Sequence, residues 1–280
     1  MQYQWYPGHM SKAKRQMTDE LKLIDAIIEL VDARIPASSK NPDIEKMANG
    51  KARVLILNKY DMADPAVSAK WKKYYESRGY FVVTVNSKNR KDFKIVKDTI
   101  AESCKEKVER NLKKGIKNKT VRAMICGIPN VGKSTFINTF VGKASTKTGN
   151  KPGVTTGKQW IRISDNIDLL DTPGILWPKF EDETTGMRLA FIGSINDNIL
   201  VPSEMAYDLI DAIMPLYPEV IGSYYGIETD CDKYEILARI AAKRGCLVKG
   251  GNPDLERAAR LFIDDFRSTK LGRLSLESPE

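Results

Sequence analysis

The sequence is poor in the residues that most often bind metal ions or form disulfides. Histidine occurs once, as His9, and the four cysteines show neither metal-ligand spacing nor the pattern of a small disulfide scaffold. Reduced thiols of this kind are typical of a cytosolic protein, so we expect a cytoplasmic location. No apolar run is long enough for a membrane span, and the first residues lack the order of a signal peptide. We therefore expect no membrane partner.

Charge is plentiful but unevenly distributed along the 280 residues, whose net charge is +9. Residues 1–175 contain 33 Lys and Arg against 18 Asp and Glu, whereas residues 176–280 contain 12 against 18. A basic segment favours a polyanionic partner such as a nucleic acid, but solvated surface lysines explain the charge equally well. Charge alone leaves both interpretations open.

Short apolar runs alternate with helical patterns in the first part of the chain. We predict strands at 24–31, 53–58, 80–85, 121–126, 159–163 and 167–170, and helices at 66–77, 94–114 and 133–140. This alternation is typical of an α/β fold with a mostly parallel sheet. Beyond residue 174 we find only helical patterns, at 205–214, 233–243 and 253–266. We therefore predict an α/β domain at 1–178, with an N-terminal arm at 1–20, and a small all-α domain at 179–280.

The strongest motif is Gly127-Ile128-Pro129-Asn130-Val131-Gly132-Lys133-Ser134, between a predicted strand and a predicted helix. Its G-x-x-x-x-G-K-S spacing is that of a P-loop, in which backbone N–H groups and a helix N-terminus face phosphate oxygens. We expect Lys133 to reach the β- and γ-phosphates and Ser134 to ligate Mg²⁺. The same predicted nucleotide site includes Asn130, Val131, Gly132 and Thr135.

A second motif, Asp171-Thr172-Pro173-Gly174, follows the last predicted strand. An aspartate at this position can hold Mg²⁺ through water, and the Gly174 N–H can contact the γ-phosphate. The segment 142–157 is rich in Gly, Thr and Lys, and Thr156 within it is expected to ligate Mg²⁺ when GTP is bound. Asp171, Ser134 and Thr156 are therefore the predicted magnesium ligands.

A third motif, Asn58-Lys59-Tyr60-Asp61, has the N-K-x-D pattern that reads guanine. The Asp61 carboxylate can accept hydrogen bonds from both donors on the guanine edge, whereas adenine presents neither donor and would leave the carboxylate unpaired. Lys59 would lay its stem along the base. Backbone contacts to the base are expected from Asn86, Ser87 and Lys88. Taken alone, each short segment is also compatible with a polar turn.

The order of the motifs is unusual, because N-K-x-D precedes the P-loop. Together they resemble a translation-factor-like GTPase that has been circularly permuted. In that interpretation, the chain of an ordinary GTPase is cut after the D-T-P-G segment, and its original N- and C-termini are joined through residues 89–120. GTP and GDP are the expected ligands.

Further segments closely resemble the bacterial ribosome biogenesis GTPase A family. They are Trp5 to Met10, Val31 to Pro36, Asp171 to Glu181, Lys243 to Cys246 and Lys270 to Ser275. This resemblance implies a GTP-hydrolysing factor for late maturation of the large (50S) ribosomal subunit, with rRNA contact and stimulation by that subunit. We expect the protein to be a monomer.

The residues for hydrolysis depart from the common pattern, since Ile175 stands where many GTPases carry a water-orienting glutamine. The resemblance supports His9 as a catalytic residue placed on the ribosome, whereas the residues alone favour a helix cap before Ser11. Asn130 resembles P-loop asparagines that ligate K⁺, a cation that would replace an arginine finger electrostatically. The alternative is an asparagine that only satisfies turn geometry.

Contact with rRNA is implied for basic residues at both ends of the chain, although a solvated helical face is the alternative for the C-terminal group. These residues are Lys12, Lys14, Arg15, Arg257, Arg260, Arg267, Lys270 and Arg273. Two other functions stay open. One is a GTPase switch for a protein or membrane partner, and the other is a nucleotide-binding module without meaningful turnover, which Ile175 makes plausible.

Overall fold

A computed structural model describes residues 19–48, 50–116, 120–142, 159–164, 166–172 and 182–279. Within these ranges six strands form one sheet: β1 Ala26–Asp32, β2 Ala52–Asn58, β3 Phe81–Val85, β4 Val121–Gly127, β5 Gln159–Ser164 and β6 Ile167–Asp171. The strand order is β3-β2-β1-β4-β6-β5, and all neighbours are parallel except β5 and β6. The six predicted strands and the mostly parallel α/β fold are confirmed.

The described helices are, in chain order, α1 Pro42–Met47, α2 Pro65–Ser77, α3 Phe93–Ser103, α4 Lys105–Lys113, α5 Lys133–Val141, α6 Glu183–Phe191, α7 Pro202–Ile213, α8 Val220–Tyr225, α9 Lys233–Lys243 and α10 Leu255–Arg267. Short 3-10 turns lie at Leu21–Leu23, Tyr60–Met62, Arg90–Asp92 and Asp197–Ile199. None of the helices described is long and apolar enough to cross a membrane.

The central strand shows why the sheet forms where the apolar runs predicted it. All seven residues of β1 are buried, as expected for a parallel strand covered on both faces.

Helix α2, which follows β2, has a clear start signal, because the side chain of Asp64 accepts hydrogen bonds from the N–H groups of Ala66 and Val67. Pro65 occupies the first helical position, where its missing N–H costs no hydrogen bond.

The prediction of one helix at 94–114 is wrong in one respect, because Cys104 divides it into α3 and α4. Cys104 has a non-helical φ of −107° and ψ of 2°, and its side chain is buried. Helix α3 buries Phe93, Val96 and Ile100, whereas α4 buries no residue. The break therefore lets the chain leave the core and cross from β3 towards β4 along the surface.

Helices α1, α6 and α8 were not predicted from the sequence. Two of them have only six residues, which is too short for a 3.6-residue period to be recognised. The predicted C-terminal helices correspond to α7, α9 and α10, which confirms the helical character of this part. The proposed boundary at residue 178 lies outside the described residues.

Most helices share a large hydrophobic core with the sheet, and a second, smaller cluster packs Trp71 of α2 against Leu55 of β2. The largest apolar cluster includes Ile28 of β1, Phe136 of α5, Phe191 of α6 and Phe262 of α10. After α10 the chain returns to the sheet domain over residues 271–279, where the Leu276 N–H donates to the Arg34 carbonyl at 2.9 Å. We call residues 271–279 the C-terminal strap.

Candidate nucleotide-binding site

The predicted motifs meet because the strands that carry them are parallel, with only β1 between β2, which leads into N-K-x-D, and β4, which leads into the P-loop. Asp32 at the end of β1 is in register with Asn58 of β2, and Leu30 with Gly127 of β4. The strand order places the topological switch at β1 and β4, and ligands of open α/β sheets bind outside the carboxyl ends of strands at such a point. The P-loop and the N-K-x-D segment therefore lie side by side at the carboxyl ends of the central strands.

The P-loop has the backbone geometry that its sequence requires. Asn130 and Gly132 both have left-handed φ values, 59° and 96°, before α5 begins at Lys133. Gly127 is required by close packing, since a Cβ there would lie 2.8 Å from the carbonyl oxygen of Leu30. Ser134 and Thr135 occupy the first turn of α5 and are half-buried.

The P-loop lysine lies next to the carboxylate at the end of β6. Lys133 Nζ is 2.5 Å from Asp171 Oδ1, and both side chains are buried. The neighbouring Thr172 hydroxyl donates to the carbonyl of Ile125, which fixes the end of β6 against β4. The described residues hold no cluster of three or more His, Cys, Asp or Glu. The oxygen donors present are the Asp171 carboxylate and the Ser134 hydroxyl, and Mg²⁺ is usually bound through one or two carboxylates together with phosphate oxygens.

The N-K-x-D segment is tied directly to the P-loop. The Asn58 amide donates to the Val131 carbonyl at 2.7 Å, and the Lys59 ammonium group donates to the Asn130 carbonyl at 2.9 Å. Asp61 is exposed on the 3-10 turn that follows. The asparagine and the lysine thus hold the two loops together, while the carboxylate lies at the surface.

Residues after β3 reinforce this junction. Ser87 is buried and its hydroxyl donates to Asn58 Oδ1 at 2.6 Å. The Asn86 N–H donates to Asp92, and the exposed Lys88 donates its N–H to the Asn86 side chain. Backbone contacts of residues 86–88 to a base stay a prediction.

The P-loop also contacts the helical part of the chain. The Asn130 amide nitrogen donates to the Gly193 carbonyl at 2.6 Å, and the Ser194 hydroxyl donates to the Pro129 carbonyl at 2.8 Å. No sequence pattern indicated these contacts, because Gly193 and Ser194 follow a helix that was not predicted. His9, Thr156 and Gly174, which have predicted roles in the site, lie outside the described residues, as do Ile175, Lys12, Lys14 and Arg15.

Asp32 is a site residue that the sequence analysis missed. It lies at the end of β1 beside both Arg34 and Lys59. Burial alone would raise the pKa of Asp32, but the two cations outweigh it and hold this pKa well below its usual range. Burial in turn lowers the pKa of Lys59 despite its contact with Asp32. A charged residue at the end of a mostly apolar strand was a signal that could have identified it.

The C-terminal basic residues do not form one free helical face, contrary to the hypothesis from sequence. Arg267 donates to the carbonyls of Ala190 and Phe191, and Lys270 pairs with Asp265. Lys270 and Arg273 lie beyond the end of α10. Arg257 and Arg260 are exposed on that helix.

Several known proteins are similar to the chain in both sequence and fold. The family described as 50S ribosome-binding GTPase matches residues 122–217. The chain is 44% identical over its full length to Ribosome biogenesis GTPase A of Priestia megaterium, 98% of which is covered. It is 35% identical to the protein of the same name from Thermotoga maritima, over 99% of the chain and 94% of the relative.

Two solved structures extend this likeness to the nucleotide. The GDP-bound structure of TM YlqF has a TM-score of 0.68 and 29% identity, over 95% of this chain and 99% of that one. The GNP-bound YlqF from T. maritima has a TM-score of 0.66 and 30% identity, over 96% and 99%. These structures support nucleotide binding at the same fold. With full-length identity of 44% and the permuted motifs joined at one sheet edge, the chain belongs to the ribosome biogenesis GTPase A family.

Proposed function

We propose that this chain is a Mg²⁺-dependent GTPase that acts in late assembly of the large (50S) ribosomal subunit, contacts rRNA and is activated by that subunit. The observation that carries the proposal is the direct connection between the N-K-x-D segment and the P-loop, through Asn58 to Val131 and Lys59 to Asn130. This connection places the N-K-x-D segment beside the P-loop, as the binding of one guanine nucleotide by both segments requires. The names of the relatives supply the ribosomal partner.

Guanine recognition is assigned to the exposed Asp61 and the stem of Lys59. The Asp61 carboxylate would accept from the two guanine donors, while the lysine stem packs along the base. Because adenine lacks both donors, the same carboxylate would be left unpaired beside ATP. Backbone groups of Asn86, Ser87 and Lys88 complete the base side of this proposed site.

The phosphate side is assigned to Lys133 and the proposed Mg²⁺ ligands. Lys133 would exchange its contact with Asp171 for the β- and γ-phosphates, which leaves Asp171 to hold Mg²⁺ with Ser134 and Thr156. Val131, Gly132 and Thr135 supply backbone and helix N-terminal groups, and Gly174 contacts the γ-phosphate. Bound Mg²⁺ neutralises phosphate charge, as in other GTPases.

Hydrolysis is assigned to groups other than the residue at position 175, because isoleucine cannot orient water. His9 is proposed to orient or polarise the attacking water when the protein is on the ribosome. Asn130 is proposed as a K⁺ ligand through its side-chain oxygen. The hydrogen bond from its amide nitrogen to Gly193 supports this role, because it fixes the orientation of the amide.

The proposed organisation follows from these roles. The GTPase domain spans 1–178, and the helical domain at 179–280 would contact rRNA through the exposed Arg257 and Arg260, with Lys12, Lys14 and Arg15. We propose that the protein works as a monomer in the cytoplasm, where its ribosomal partner is assembled.

The test is GTP turnover measured in potassium and in sodium buffers, with and without purified large ribosomal subunits. We expect strong stimulation by the subunit and faster turnover in potassium. Equal rates in the two salts would contradict the role of Asn130 in K⁺ binding. Bound GTP without any stimulation would contradict subunit activation and the role of His9, and would favour a GTPase switch for another partner.

A further inference from the structure

The N-K-x-D lysine is held by a carboxylate that belongs to none of the nucleotide motifs. Lys59 has φ 56° and ψ 33°, a left-handed conformation that a residue with a side chain keeps only where its surroundings impose it. Its ammonium group is fixed at two points, 2.9 Å from the Asn130 carbonyl oxygen and 3.0 Å from Asp32 Oδ2. The second anchor comes from a strand without a nucleotide motif.

Asp32 is placed for this contact by the sheet itself. It is in parallel register with Asn58, the residue before Lys59, and the Ala33 N–H donates to the Asn58 carbonyl at 2.8 Å. The Asp32 N–H donates to the Ser39 hydroxyl at 2.9 Å, which fixes the backbone at the end of β1. The Asp32 side chain is 0% exposed, so it acts on a bound nucleotide only through a neighbour.

The neighbour that orients Asp32 is Arg34. Its Nε donates to Oδ1 at 2.9 Å and its Nη2 to Oδ2 at 2.8 Å, and this two-point pairing fixes the plane of the carboxylate. The guanidinium group lies 5.3 Å from the centroid of the Phe266 ring in α10. With Lys59, two cations share one buried carboxylate, an arrangement that is weak as a source of stability and is better explained by a positioning role.

We infer that Asp32 is a positioning residue for guanine recognition, which holds the ammonium group of Lys59 so that the lysine stem is already extended along the P-loop. The Cε atom of Lys59 lies 4.0 Å from the position that a Cβ on Gly132 would occupy, next to the P-loop backbone. A lysine without these anchors samples many rotamers. A nucleotide that orders such a lysine binds more weakly, because the side chain loses conformational entropy on binding. This role rests on the proposed guanine site.

The first experiment compares Asp32→Asn with Glu29→Gln by titration calorimetry with GDP and with a non-hydrolysable GTP analogue. Glu29 is a matched control, because it is a buried carboxylate of the same strand and accepts from the Asn41 N–H. We expect D32N to raise both Kd values by the same factor of about ten, or about 1.4 kcal/mol. E29Q should leave them unchanged, and D32N should raise KM for GTP without changing kcat.

A double-mutant cycle tests whether Asp32 acts through the lysine. Lys59→Met removes the ammonium group, so the pair D32N/K59M should bind GDP no more weakly than K59M alone. Independent, multiplicative effects of the two substitutions would overturn the proposal.

A separate variant, Arg34→Lys, keeps the positive charge but loses the two-point pairing with Asp32, and it should raise the GDP Kd by about threefold. If D32N does not fold, R34K tests the positioning role of Asp32 in its place.

The control proteins separate two kinds of failure. If the unsubstituted chain does not prefer GDP over ADP, the guanine site itself is wrong, and the role of Asp32 is overturned with it. If the unsubstituted chain and E29Q bind GDP selectively while D32N and R34K bind it equally well, only the role of Asp32 is overturned.

Discussion

At the scale of single residues, Gly132 meets two requirements at once. Its φ of 96° lies in the left-handed region, and a Cβ built on it would lie 2.5 Å from Asn58 Nδ2. That amide group donates to the Val131 carbonyl. Any side chain at 132 would therefore strain the backbone and displace the group that connects N-K-x-D to the P-loop.

We predict that Gly132→Ala lowers the free energy of unfolding by about 1–3 kcal/mol and weakens GDP binding at least about tenfold. Urea unfolding and titration calorimetry measure the two effects. Gly250→Ala is the matched control, because Gly250 has φ 100° and a Cβ there would meet no atom within 4 Å. Equal losses of GDP affinity in both variants would contradict the role of the Asn58 contact.

At the scale of elements, the turn Tyr60–Met62 is held by the C-terminal strap. Arg273 donates through Nε to the Ala63 carbonyl at 2.9 Å and through Nη2 to the Tyr60 carbonyl at 2.8 Å. Its guanidinium group also lies 5.1 Å from the centroid of the Tyr60 ring. The turn that carries Asp61 is thus held in place by a residue about two hundred positions further along the chain. Only tertiary folding brings residues so far apart in sequence into contact.

We predict that Arg273→Ala raises the Kd for GDP by about threefold to tenfold, because Asp61 would be held less firmly and preorganisation would be lost. The GDP-to-ADP preference should fall as well, since the change acts on the base-reading side. Arg260→Ala makes the same change of charge at an exposed position of α10 and should leave both values unchanged. A similar shift in the two variants would point to net charge instead of the turn.

At the scale of the whole molecule, the buried acid Glu29 makes stability depend on pH. Burial, partly offset by Lys40 and by the Asn41 N–H, raises the pKa of Glu29 from 4.5 to about 7. The unfolded chain therefore releases this proton at lower pH than the folded chain. The contribution of protonated Glu29 to the free energy of unfolding is fully present below about pH 4.5 and is lost as the pH rises through 7.

We predict that the free energy of unfolding falls by up to roughly 3 kcal/mol between pH 4.5 and pH 7 on account of Glu29, and that Glu29→Gln removes this contribution. Denaturant unfolding of both proteins at several pH values gives the difference, in which the other titrating groups cancel. Parallel pH profiles for the two proteins would show that Glu29 does not carry the effect.

The local features of the protein follow from its amino-acid sequence alone. The residue patterns identified all six strands, and for the buried parallel strands the reason is that they need a short continuous run of apolar residues. The motif spacings identified the P-loop and the N-K-x-D segment, since their chemistry depends on residues a few positions apart. The order of those motifs already indicated the permutation.

Which distant groups meet depends on how the elements pack together. The contacts of Asp32 with Lys59, Arg273 with Tyr60 and Asn130 with Gly193 depend on strand order and on the return path of the chain. The division of the helix at Cys104 depends on which of its segments the sheet can cover. Local periodicity records which faces are apolar but not which element covers them, and this is why these features could not be predicted from the sequence.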